Sequence, residues 1–187
     1  VFYYDVASLV FCTFLLIYFL YRRNIRNIQT VMFGILLVAV WLSNAFNVIL
    51  VCGYNPLYSI SLWIPYILAA LHSLLLDLSI AALFCYIMII AKGKSKFTKF
   101  DVFRIVMPYV VAVILVVTNL WTGFVYTIDP QTGMLKYHIG KLVLYGLSGI
   151  YMIMGAMEAY RNRSVLSLGQ KWAVVVLGLL GTNAIVL

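Results

Sequence analysis

Six stretches of this chain are apolar over close to the 20 or so residues that a helix needs to cross a hydrocarbon core. They are 5–21, 30–51, 63–90, 102–125, 141–160 and 171–187, and that pattern restricts the chain to one broad class. Inside a bilayer no water satisfies backbone N–H and C=O groups, so each stretch must be a helix that satisfies its own. The expectation is therefore an all-α integral membrane protein with six visible spans. Composition agrees: apolar residues make up 65% and charged residues 10% of the chain, against about 45–50% and about 25% in soluble proteins. A disordered chain, a disulfide scaffold and a nucleic-acid-binding domain are excluded by the same figures.

Orientation follows from the basic residues. Of the 13 lysines and arginines, only Lys136 and Lys141 lie outside the first, third and fifth connectors and their adjoining turns. The positive-inside rule then makes those connectors cytoplasmic and the N-terminus extracytoplasmic. The net charge of +8 reports this bias, and no nucleic-acid partner is called for. Lys92, Lys94, Lys96 and Lys99 are within reach of anionic headgroups, and their topological role already accounts for them. The first span carries its charges after the apolar run, unlike a cleaved signal peptide. An apolar run that stops at Leu187, after a start at Val1, points to a fragment with a seventh helix to follow.

The third span, about 28 residues or about 42 Å long, must tilt or project beyond the bilayer. Pro65 stands in its first turn, where a missing N–H costs little. Asp5 reads as a helix-starting cap and Asp101 as a structural residue near the start of the fourth span. Between the fourth and fifth spans, 124–128 and 134–139 are rich in aromatic and β-branched residues and flank Asp129-Pro130-Gln131-Thr132-Gly133. That is a turn sequence between two strands, and it predicts an extracytoplasmic β-hairpin, either a lid over a pocket or a folded-back connector.

Polar groups in hydrocarbon are costly, so their depth is informative. Asn44, Asn47, Asn119 and Asn183 come late in outward-running helices, and His72, Tyr145 and Ser148 come early in inward-running ones. All seven fall in the outer half, with Asp77 nearest mid-membrane. In the inner half Glu158 is spaced for an ion pair with Arg161. The asymmetry fits an outward-opening cavity floored by Asp77, and these eight residues are the candidate ligand-binding set. The competing reading is interhelical hydrogen bonding, worth about 0.6 kcal/mol per contact; for Asp77 it would run through Ser73, one turn earlier.

Catalytic and metal-binding patterns are weak. Cys12, Cys52 and Cys85 are scattered in or beside apolar segments and read as packing residues, so neither a metal site nor a cofactor is expected. Gly146-Leu147-Ser148-Gly149 resembles the GxSG nucleophile motif of rhomboid intramembrane proteases. That family's base is a histidine on the sixth helix, and 171–187 contains none. The residues in hand read as non-enzymatic.

The opening Tyr4-Asp5-Val-Ala-Ser-Leu, followed by an apolar helix and Arg22-Arg23, resembles the start of the N-terminal membrane regions of bacterial signalling proteins. The segment 124–145, a short aromatic hairpin entering the next helix, resembles them too. Such regions precede cytoplasmic GGDEF diguanylate cyclase or histidine kinase domains. The resemblance implies seven helices, an outside N-terminus, an enzymatic output domain and a possible homodimer formed through it. The leading expectation is a sensory input module in the cell membrane that binds an extracytoplasmic small molecule and biases its output domain. An alternative of another class is the six-helix substrate-binding subunit of an energy-coupling-factor vitamin importer. A third, a purely structural assembly subunit, predicts a polar cluster satisfied internally.

Overall fold

A computed structural model describes residues 2–21, 28–52, 63–92, 97–129, 135–164 and 166–167, with the backbone alone for 2–5. The order is α1 (Phe2–Tyr21), α2 (Ile28–Cys52), α3 (Trp63–Lys92), α4 (Lys99–Thr122), β1 (Tyr126–Ile128), β2 (Leu135–Tyr137) and α5 (Ile139–Arg161). Among the described residues α2, α3, α4 and α5 are each long and apolar enough to cross a membrane. The part of α1 whose side chains are described, Val6–Tyr21, is a shorter apolar helix. The chain is a multi-pass membrane protein. The sixth expected span, 171–187, lies outside the described residues, as does Asn183.

The helix ends differ from expectation in ways that local chemistry explains. Asp5 falls inside α1, which already begins at Phe2, and is therefore not the residue that starts it. α4 starts at Lys99, three residues before the expected boundary, because Thr98 and Asp101 form a capping box. The Thr98 hydroxyl accepts from the Asp101 backbone N–H at 3.2 Å, and the Asp101 carboxylate accepts from the Thr98 N–H at 2.9 Å. Such reciprocal bonds satisfy donors that the first turn leaves free. α4 ends at Thr122 instead of 125, because Gly123 adopts φ 60°, a left-handed conformation that terminates helices.

α3 is the centre of the bundle. It packs on α2, α4 and α5, while α1 rests on α2. Its 30 residues make a helix about 45 Å long. On α5, Leu144, Ser148, Tyr151, Gly155 and Glu158 are buried, a spacing of three and four residues that keeps one face inward. Gly155 is the close-approach point, since a Cβ there would stand 3.3 Å from Ile87 and 3.6 Å from Phe84 of α3.

The expected hairpin is present as an antiparallel pair with Tyr126 opposite Tyr137 and Ile128 opposite Leu135; its turn, 130–134, lies outside the described residues. Val125 and Tyr126 are wholly buried against Leu50, Ala69, Ala112, Val116 and Leu144. The Tyr126 hydroxyl donates to the Tyr66 carbonyl at 3.2 Å, and the Tyr66 hydroxyl accepts from the Ile128 N–H at 3.2 Å. Burial pushes the Tyr126 phenol up to about 12, so it remains a neutral donor. β1 is thus docked on the helix ends.

Candidate functional site

Asp77 is the fifteenth residue of α3 and is 6% exposed. The Ser148 hydroxyl of α5 donates to its Oδ1 at 2.9 Å. Its Oδ2 is buried without a hydrogen-bond partner among the described residues. Ser73 lies on the same helix and is also buried, but the serine that meets the carboxylate comes across the helix interface instead. Lys141 and Tyr145, earlier on α5, lie within electrostatic reach of Asp77, as do Tyr151 and, on α4, Tyr109. The Lys141 ammonium stacks on the Tyr137 ring at 3.5 Å and stands 5.4 Å from that of Tyr145. The site is a carboxylate with one oriented and one open oxygen, set among tyrosines, with a lysine toward the hairpin.

The other predicted residues go to separate contacts. His72 meets α2 through Ser43, its Nδ1 lying 3.1 Å from the hydroxyl and 3.0 Å from the carbonyl. Asn44 donates to the Ser8 hydroxyl of α1 at 2.9 Å, and Asn47 is half-buried on the same helix. Asn119 is 1% exposed and serves the backbone entering β1. Its Oδ1 accepts from the N–H groups of Val125 and Tyr126 at 2.6 and 3.1 Å, and its Nδ2 donates to the Tyr126 carbonyl at 3.0 Å. Of the eight candidates, the structure joins Asp77 and Ser148 directly, with Tyr145 within electrostatic reach. A groove of about 770 Å³ lies elsewhere, between α1, α2 and α3, with apolar walls that include Leu16, Val38 and Leu78.

The inner-half ion pair differs from the expected one. Glu158 pairs with Arg104 of α4 at 2.8 Å and is 4% exposed, while Arg161 is exposed. A buried carboxylate needs a close partner, and α4 presents Arg104 to the inward face of α5. Asp101 is structural, as expected, and also pairs with Lys92 at 2.6 Å.

Among the described residues the serine motif has no catalytic geometry. The Ser148 hydroxyl is given to a carboxylate, whereas His72 is engaged with Ser43, and His138 lies 2.8 Å from the Thr127 hydroxyl in the hairpin. A Cβ on Gly146 or Gly149 would meet nothing within 4 Å, so the motif is not a close-packing point either. Tyr109, Lys141 and Tyr151 were not among the candidates. The signal for Tyr151 was available, because it stands three residues after Ser148 on the same face. No known family model matches the chain, and no curated protein or solved structure is significantly similar to it.

Proposed function

We propose that the chain is the membrane-embedded sensory input module of a bacterial signalling protein. It takes up an extracytoplasmic small molecule beside Asp77 and biases a cytoplasmic output domain, a diguanylate cyclase by the resemblance of the sequence pattern. The supporting observation is the open Oδ2 of Asp77, buried midway along the central helix. An unpartnered polar atom in an apolar setting costs a few kcal/mol, and ionisable groups inside membranes mark functional points. A hydrogen-bond donor on the ligand would complete that oxygen, while Ser148 holds the carboxyl in orientation. Signalling needs the ligand to prefer one helix arrangement over another, and a contact between α3 and α5 is suited to that preference.

The first test is the coding sequence past Leu187. A seventh helix followed by a cytoplasmic signalling domain supports the reading. A stop codon within a few residues overturns it in favour of a transport subunit, for which copurifying partners would be sought. On the full-length protein in bilayers, small-molecule screening by thermal shift should yield compounds that stabilise the native chain but not Asp77→Asn. Compounds that stabilise both equally would remove Asp77 from the site.

A further inference from the structure

Pro108 lies inside α4, ten residues into the helix. It has no N–H to offer the carbonyl of Arg104, and its ring crowds that carbonyl, which in a helix interior produces a kink or a weak point. The next turn carries an unusual contact. The Tyr151 hydroxyl of α5 accepts from the Tyr109 backbone N–H at 3.1 Å and donates to the Ile105 carbonyl. Those two groups are the donor and acceptor of one i→i−4 rung. A side chain from a neighbouring helix therefore serves the rung beside the one that proline removes. Side chains that enter the backbone ladder are a recognised cause of helix bending.

The two sides of Pro108 are anchored differently. Before it, Asp101 pairs with Lys92 of α3, and Arg104 pairs with Glu158 of α5. After it, Thr118 and Thr122 bond back to their own helix, while Asn119 holds the strand entering the hairpin. Ser148, Tyr151 and Glu158 share one buried face of α5. They reach Asp77 of α3, the α4 backbone at Pro108 and the α4 side chain of Arg104 in turn.

We propose that α4 hinges at Pro108 and that the Tyr151 hydroxyl is the latch tying its first half, residues 99–107, to α5. With the latch engaged, that half is held to α5 at Ile105 as well as through Arg104–Glu158. With it withdrawn, the Tyr109 N–H closes directly on the Ile105 carbonyl and the half pivots about its remaining Arg104–Glu158 and Lys92–Asp101 pairs. Both states satisfy the Tyr109 N–H and the Ile105 carbonyl, as a two-state element within a bilayer requires of the groups it exchanges. The device stands whether or not a ligand binds beside Asp77.

The test uses pairs of spin labels on the whole chain in lipid bilayers, with Cys12, Cys52 and Cys85 replaced by alanine. One pair, Val102→Cys with Met157→Cys, reports on the first half of α4 against α5. The other, Ile114→Cys with Val143→Cys, reports on the second half, and all four positions are exposed. Tyr151→Phe keeps the ring, whose centroid lies 5.6 Å from that of Phe84, and removes only the hydroxyl. The expected result is a distance distribution about twofold broader for the first pair and unchanged for the second. Adding Pro108→Ala, which restores the missing N–H, should narrow the first pair again. Equal broadening of both pairs, or none in either, overturns the latch. A first pair that stays broad in the double variant overturns the hinge at Pro108.

Discussion

Asp77 and Asn119 are both buried polar residues on membrane-crossing helices, and what each touches separates their roles. Asn119 meets three backbone groups at the turn into β1. Asn119→Leu leaves two N–H groups stranded at about 1–3 kcal/mol each. Its unfolding midpoint in detergent, followed by circular dichroism, should therefore drop steeply. Asp77→Asn behaves differently, because its amide oxygen still accepts from Ser148 while the carboxyl is replaced by a neutral group of the same shape. Its stability should stay within about 1 kcal/mol of the native chain or rise. A loss above about 2 kcal/mol would mark Asp77 as a structural residue. In the sequence they differ only in depth, Asn119 in the outer half and Asp77 nearest mid-membrane, because depth is what position along a span gives. Their separation depends on partners 6–7 residues away for Asn119 and 71 residues away for Asp77.

At the scale of the element, glycines show which contacts shape a helix. Gly140 opens α5 beneath Phe124, where a Cβ would stand 2.7 Å from the Phe124 carbonyl oxygen and 2.9 Å from its carbon. Backbone cannot swing aside as a side chain can, so Gly140→Ala should cost about 1–3 kcal/mol and loosen the hairpin junction. Gly146→Ala and Gly149→Ala, which meet nothing, should stay within about 0.5 kcal/mol. Thermal unfolding of the three variants side by side checks the ranking. The Gly-Leu-Ser-Gly stretch resembles a motif, whereas the glycine pressed against neighbouring backbone is Gly140. The capping box Thr98-Lys99-Phe100-Asp101 lies within one turn of sequence, yet the apolar pattern alone puts the helix start later, at 102. The Arg104–Glu158 pair was not legible in the chain itself, since 54 residues separate its members.

For the whole molecule, the basic connectors predict an orientation that labelling can test directly. Lys136 in β2 and Arg163 after α5 are both exposed and belong to opposite sides by the positive-inside rule. With Cys12, Cys52 and Cys85 replaced by alanine, an impermeant maleimide added to intact cells should modify Lys136→Cys at once and Arg163→Cys only after permeabilisation. The reverse pattern would invert the topology and place the hairpin in the cytoplasm.

The sequence alone determined that the chain crosses a membrane several times as helices, roughly where four of those helices run, and that a hairpin precedes the last described one. These properties follow from local quantities: apolar length, and a turn between two β-branched runs. Only the tertiary structure decided that α3 is the central helix, that Ser148 rather than Ser73 meets Asp77, and that Tyr151 reaches the backbone beside Pro108. Apolar helices in lipid lack the polar outer face that orients helices in water. Which side of each helix turns inward is therefore settled by small residues and a few polar partners distant in the chain.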